Sequence, residues 1–145
     1  MPEINVIIPA YNEADSIAHV IKEIPAVVSE IIVVNNNSTD KTAENAAHAG
    51  ATVLTENRRG YGYACLAGIN YIKQKSKQPD IIVFIDGDYS DYPEELSKLI
   101  APIITRDMDM VIGARVDSLR EEGAMTPQQI FGNWLATSLM KLFFG

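Results

Sequence analysis

Short runs of β-branched and aliphatic residues recur along the chain, each broken off by polar residues or a turn former. They lie at 4–9 (Ile-Asn-Val-Ile-Ile-Pro), 30–34 (Glu-Ile-Ile-Val-Val), 51–55 (Ala-Thr-Val-Leu-Thr), 81–85 (Ile-Ile-Val-Phe-Ile) and 109–113 (Asp-Met-Val-Ile-Gly). Apolar runs this short are too brief for helices and read as strands, the run at 81–85 as one buried on both faces. Between them come segments with helical spacing. Ile17, Val20, Ile21 and Ile24 share one helical face, with Asp15 or Ser16 as N-cap. Further helices are expected at 42–49, closed by Gly50, at 63–75, and at 93–102 with Pro93 in the first turn. A last one is expected at 127–144, rich in large apolar groups. Strict alternation of strand and helix implies an α/β fold, a mostly parallel sheet with helices on both faces. Right-handed crossovers put the loop after every strand on one rim. The polar clusters at 11–13, 35–40, 58–62 and 86–88 follow strands directly and should converge there.

The cluster at 86–88 is the most informative of these. Asp86 and Asp88 flank Gly87 at the carboxyl end of the most apolar run, where open α/β sheets bind ligands. Two hard oxygen donors there suit a divalent cation shared with substrate phosphates. An isolated Asp-x-Asp more often caps the next element, so its meaning depends on the other loops. Arg58 and Arg59 beside Gly60 and Gly62 could meet an anion, although a solvated surface turn has the same composition. No Gly-Lys-Ser/Thr phosphate loop is present, and no Gly-x-Gly-x-x-Gly follows the first strand.

Composition excludes several classes. A net charge of −7 over 145 residues argues against nucleic acid as a partner. The lone Cys65, among small apolar neighbours, excludes a disulfide framework and reads as a core residue. No run approaches the roughly 18 apolar residues of a membrane span, and the amino terminus lacks a secretory pattern. A cytoplasmic location is the expectation, with one domain over 1–126 and an apolar helix of the same domain over 127–145. That helix could lie on a membrane surface or pair with a second copy to form a homo-oligomer.

Five segments together resemble family 2 glycosyltransferases: 7–13 (Ile-Ile-Pro-Ala-Tyr-Asn-Glu), 33–40 (Val-Val-Asn-Asn-Asn-Ser-Thr-Asp), 57–62 (Asn-Arg-Arg-Gly-Tyr-Gly), 86–88 (Asp-Gly-Asp) and 111–115 (Val-Ile-Gly-Ala-Arg). They stand in the family's order and at its usual spacings. The chain most resembles the branch related to dolichyl-phosphate mannosyltransferase and bacterial polyprenyl-phosphate glycosyltransferases.

The resemblance implies a GT-A nucleotide-diphospho-sugar fold and sugar transfer from a UDP- or GDP-sugar, with Mg²⁺ or Mn²⁺ as cofactor. It places Pro9, Tyr11 and Glu13 beside the nucleoside and Asn35 at the base. Asp86 falls at the ribose or metal, and Asp88 on the metal bridging the diphosphate. Arg58 and Gly62 fall near the phosphates or sugar, and Arg115 near the acceptor or leaving group. Asp86, Asp88 and Arg115 are thus the expected catalytic residues, and the expected acceptor is a polyprenyl phosphate at a membrane surface. Transfer to a soluble or polysaccharide hydroxyl stays open, as does a non-catalytic nucleotide-sugar-binding module, because relatives continue past Gly145.

Two departures stand out. Asn35-Asn36 replaces the family's usual Asp-Asp, and an amide both donates and accepts. Tyr89-Ser90 replaces the Leu-Gln that mannosyltransferases of this branch often carry.

Overall fold

Four strands and the helices between them form in the expected order. The structure, a computed structural model, describes residues 2–106, 108–113, 132 and 138–139. Strand β1 (Ile4–Ala10) leads to helix α1 (Ile17–Glu23), β2 (Glu30–Asn35), α2 (Thr42–His48), β3 (Thr52–Thr55), α3 (Tyr61–Lys73) and β4 (Ile81–Phe84). A 3₁₀ turn (Pro93–Glu95) then opens α4 (Leu96–Arg106).

All strand pairs are parallel, in the order β3-β2-β1-β4. The chain winds outward from β1 through β2 to β3, then crosses back to place β4 on the other side of β1. The direction of winding therefore reverses between β2 and β4, and a crevice opens beyond the carboxyl end of β1.

Two apolar layers sandwich the sheet. Ile4, Val6 and Ile8 of β1 pack with Ile17, Val20 and Ile21 of α1, Ala46 of α2, and Leu96 and Ile100 of α4. On the other face Ile7, Ile32 and Val34 pack against Ala64 and Ile72 of α3. Gly68 brings α3 close: a Cβ there would lie 2.7 Å from Ile7 Cγ2, well inside contact distance. This close approach sets where the first turn of α3 meets the rim.

Four sequence expectations need correction. β4 is not buried on both faces: Ile81 and Val83 are buried, but Ile82 is 39% and Phe84 42% exposed. The reason is that α3 packs on β1 and β2 rather than on β4. The expected strand at 109–113 does not form, since described residues 108–113 carry no strand. Met110 and Ile112 are 73% and 75% exposed there, so the pairing and packing that stabilise a strand are missing. Pro102 does not end its helix, which runs on to Arg106. Leu99 and Ile103, packed against the core on either side of it, offset the roughly 3 kcal/mol an interior proline costs. Finally, α3 starts at Tyr61, two residues before the expected 63, directly after Gly60 at φ +135°.

The chain divides into two units, Met1–Val111 and Ile112–Gly145. The first contains every element above. In the second, Gly132, Ser138 and Leu139 are helical; the rest of the expected 127–144 helix lies outside the described residues. No described helix is long and apolar enough to cross a membrane.

The rim opposite the crevice carries a polar cluster around Glu30. Its carboxylate pairs with Lys75 and accepts from Thr52 Oγ1 at 3.0 Å, Tyr71 Oη at 3.1 Å and Asn5 Nδ2 at 3.2 Å. Burial alone would raise its pKa, but the bonds from Lys75, Thr52 and Tyr71 together hold it below the ordinary 4.5. A carboxyl held low in the folded state stabilises fully above its ordinary value, and loses that stabilisation as pH falls through the folded one. Glu30→Gln should therefore cost about 1 kcal/mol near pH 7. In urea titrations the gap from wild type should shrink below about pH 4.5; a gap independent of pH would contradict the ionic account.

Candidate functional site

Four loops meet at the carboxyl rim, and side-chain hydrogen bonds join each to its neighbours. Asn12 and Asn37 sit at φ +57° and +65°, a left-handed conformation that asparagine tolerates. The backbone N–H of Asn12 donates to Ser38 Oγ at 3.0 Å, and Asn12 Oδ1 accepts from Thr39 N at 2.8 Å. Glu13 N donates to Thr42 Oγ1 at 2.8 Å and Ala14 N to Asp40 Oδ2 at 3.1 Å. The Thr42 hydroxyl foremost, and then the backbone N–H groups of Thr42 and Ala14, hold the Asp40 carboxyl below its ordinary 3.8. The loops after β1 and β2 thus form one surface.

Asn36 fastens the second loop to the third. It is 7% exposed. Its Nδ2 donates to the carbonyls of Glu56 at 2.9 Å and Arg58 at 2.7 Å, while its Oδ1 accepts from Gly60 N at 2.8 Å. Only a carboxamide can donate twice and accept once in this way. Ser16 fastens the first loop to the fourth. By position it is the N-cap of α1, yet it caps no helix N–H. Its hydroxyl lies 2.7 Å from the Gly87 carbonyl and 3.0 Å from Glu13 Oε2 instead. The third and fourth loops are joined by Tyr61, whose hydroxyl donates to Asp86 Oδ1 at 3.1 Å.

Between these loops lies a cleft of about 320 Å³ lined by Pro9, Ala10, Tyr11, Glu13, Asn36, Tyr61, Ala64, Asp86, Gly87 and Asp88. Of the residues expected at the site, Pro9, Tyr11, Glu13, Asp86 and Asp88 are brought together here. Asn35 stands at the end of β2, its Oδ1 accepting from Ser38 N at 3.1 Å, while its neighbour Asn36 lines the cleft. Arg58 is turned onto Glu56, with Nε at 3.0 Å and Nη2 at 2.7 Å, and stacks 4.6 Å over the Tyr63 ring. That pairing pulls the Glu56 carboxyl down to about 2. Gly62 lies exposed in the first turn of α3, and Arg115 lies outside the described residues.

Arg59 does reach a lining residue: its guanidinium lies 5.8 Å over the ring of Tyr11. Cys65 is half-buried on α3 rather than a core residue. Its thiol is pushed up, by burial first and by the Asp86 charge.

Sequence reasoning missed Tyr61, Ser16 and the part played by Asn36. A signal for Tyr61 was present. Ala64, Gly68 and Ile72 form the buried stripe of α3, and Tyr61 extends that stripe one turn toward the rim. Tyr89, which follows Asp88, has φ +62°, an uncommon conformation for a bulky side chain and one that concentrates at functional sites. Its hydroxyl donates to Glu23, and its ring meets His19 edge-on at 6.1 Å. The fourth loop is thereby held against α1.

The electrostatics of the cleft are one-sided. Among the described lining residues, Glu13, Asp86 and Asp88 contribute carboxylates and none is a lysine or arginine. Among the described residues no three His, Cys, Asp or Glu side chains form a ready metal cage. The carboxylate pair does fit a cation that completes its shell with ligand oxygens. Mg²⁺ in particular is usually held by one or two carboxylates plus substrate phosphates.

The chain is similar to several known proteins. The hexosyltransferase Agl6 of low-salt glycan biosynthesis in Haloferax volcanii is 33% identical over 99% of this chain, which spans 35% of its length. An undecaprenyl-phosphate 4-deoxy-4-formamido-L-arabinose transferase of Edwardsiella ictaluri is 31% identical over 67% of the chain and 32% of its own length. Glucosyl-3-phosphoglycerate synthase of Mycobacterium tuberculosis, crystallised with Mn²⁺, UDP and glucosyl-3-phosphoglycerate, superposes with a TM-score of 0.62. It is 32% identical over 72% of this chain and 40% of the synthase. The same synthase is also known with Mg²⁺ and UDP. The chain thus spans well under half of each of these relatives. The description "Glycosyl transferase family 2" matches residues 5–144, nearly the whole length, and the chain belongs to that family.

Proposed function

We propose that this chain binds a UDP- or GDP-sugar through Mg²⁺ or Mn²⁺ and supports transfer of the sugar to a phosphate acceptor of the polyprenyl type. The observation that carries the reading is the cleft at the switch point, whose described lining holds three carboxylates and no lysine or arginine. An anionic diphosphate would be repelled there unless a cation came with it. Asp88 and Asp86 would hold the cation. When bound, it supplies charge neutralisation for the departing diphosphate. Tyr11 and Pro9 would wall the nucleoside, and Asn35 would meet the base edge. Arg58 would reach the phosphates only by leaving Glu56, so Arg59 is the better-placed of the two. Arg115 keeps its proposed role near the leaving group. The synthase crystallised with Mn²⁺ or Mg²⁺ and UDP supports a uridine donor.

A phosphate acceptor fits a cleft whose described lining holds no histidine and whose Asp86 and Asp88 would be engaged with the cation, leaving Glu13 as the one described carboxylate free to act as a base. A phosphate oxygen is already an anionic nucleophile and needs no strong general base, whereas a hydroxyl does. The relative named for undecaprenyl phosphate supports the same choice. The apolar segment 127–145 would then meet the membrane surface holding that acceptor. The synthase with bound glucosyl-3-phosphoglycerate supports a second reading, a small soluble acceptor. Incubating the chain with UDP-glucose or GDP-mannose and Mn²⁺ separates them. Release of nucleoside diphosphate driven by undecaprenyl phosphate is the expected result. Release driven by 3-phosphoglycerate instead would favour the second reading, and binding without turnover a non-catalytic module.

A further inference from the structure

Tyr61 occupies the first position of α3 and lines the cleft, with no place in the roles assigned above. Its ring is 58% exposed, so it is not there to fill the core. Its hydroxyl donates to Asp86 Oδ1, across 25 residues of sequence, and this bond alone joins the third loop to the fourth among the side-chain bonds described. The Cys65 thiol, one helical turn on, is the hydroxyl's second neighbour. A phenol keeps its proton at neutral pH, so toward a carboxylate the hydroxyl acts as the donor.

We infer that Tyr61 is a positioning residue for Asp86. It fixes Oδ1, so that Oδ2 is presented to the ribose hydroxyl or cation of the nucleotide. The inference rests on the nucleotide-binding reading above. It follows from how an exposed carboxylate behaves. Asp86 is only half-buried, and Gly87 beside it adds no side chain to limit its motion. A carboxylate free to rotate must be ordered when a ligand binds, which costs affinity; one already held does not incur that cost. Gly60 and the tight seat of Gly68 on Ile7 fix the first turn of α3 and so fix the donor.

The test is a double-mutant cycle read by calorimetric titration with UDP and GDP in the presence of Mn²⁺, up to millimolar ligand. Tyr61→Phe keeps the ring and removes only the donor. It should weaken binding about tenfold, as loss of a hydrogen bond to a charged group does. In an Asp86→Asn background the same change should weaken binding less than about twofold, because the partner charge is gone. Thermal melting should match wild type, since the ring is exposed. Unchanged or tighter binding by Tyr61→Phe overturns the inference, and so does an equal loss in both backgrounds, which would assign the effect to the ring. Absence of wild-type binding to either nucleotide removes the nucleotide reading and this inference together. Wild-type binding with an unaltered Tyr61→Phe removes only the role of Tyr61.

Discussion

Asp88→Ala should lower the affinity for UDP or GDP in the presence of Mn²⁺ by about 100-fold, equivalent to about 2.7 kcal/mol. Asp88 is exposed at the mouth of the cleft, and its Oδ1 accepts only a local bond from Ser90 N at 3.0 Å. Its loss therefore costs the fold little and should leave the melting temperature of the free protein within a few degrees of wild type. The effect on the ligand is larger because no lysine or arginine is among the described residues lining the cleft. With one of two ligands gone, a cation shared between protein and diphosphate loses half of its protein anchor, and the phosphates face the carboxylates of Glu13 and Asp86 with weaker neutralisation. Asp88→Asn, which keeps an oxygen donor but loses the charge, should fall between the two. Equal affinity for wild type and Asp88→Ala would show that the acidic pair plays no part in donor binding.

The second large effect falls on stability. Asn36→Ala removes three hydrogen bonds from a site that is 7% exposed and leaves two carbonyls and one N–H without their partner. At about 1 kcal/mol each the loss is about 3 kcal/mol. For a chain of this size the melting temperature should drop on the order of 10 °C. Asn36→Asp is the sharper case, because the family resemblance implies an aspartate there. Here a carboxylate could accept from Gly60 N, but it would face the carbonyls of Glu56 and Arg58 with nothing to donate. It should destabilise at least as much as alanine. Differential scanning calorimetry of the two variants reads this directly. An Asn36→Asp protein as stable as wild type would mean that the third loop is not held by this amide.

The same residue illustrates how much of the molecule its sequence discloses. The alternation of apolar runs and helical segments was enough for the parallel sheet, because that pattern is fixed by local periodicity and by which faces are buried. The convergence of the loops followed from the handedness of crossovers alone. Asn36 was noticed only as a departure from a family pattern; its function depends on three backbone groups more than 19 residues away, which no local pattern encodes. Tyr61 was missed for a related reason: reading 58–62 as a loop hid the helical phase that turns it into the cleft. The openness of β4 had a different cause. A run such as Ile81–Phe84 looks equally apolar whether one or both faces are covered, and the answer depended on where α3 came to rest. Pro102 shows the limit of a strong local rule, since packing of Leu99 and Ile103 outweighed it.

The central claim is that a cleft whose described lining holds three carboxylates and no lysine or arginine binds an anionic nucleotide by sharing a divalent cation with it. Calorimetric titration of the wild-type chain with UDP and GDP, with Mn²⁺ and again after its removal by chelation, tests this most directly. The account predicts binding with Mn²⁺ and at least about a 100-fold loss without it. Nucleotide affinity that is the same in both conditions would contradict it.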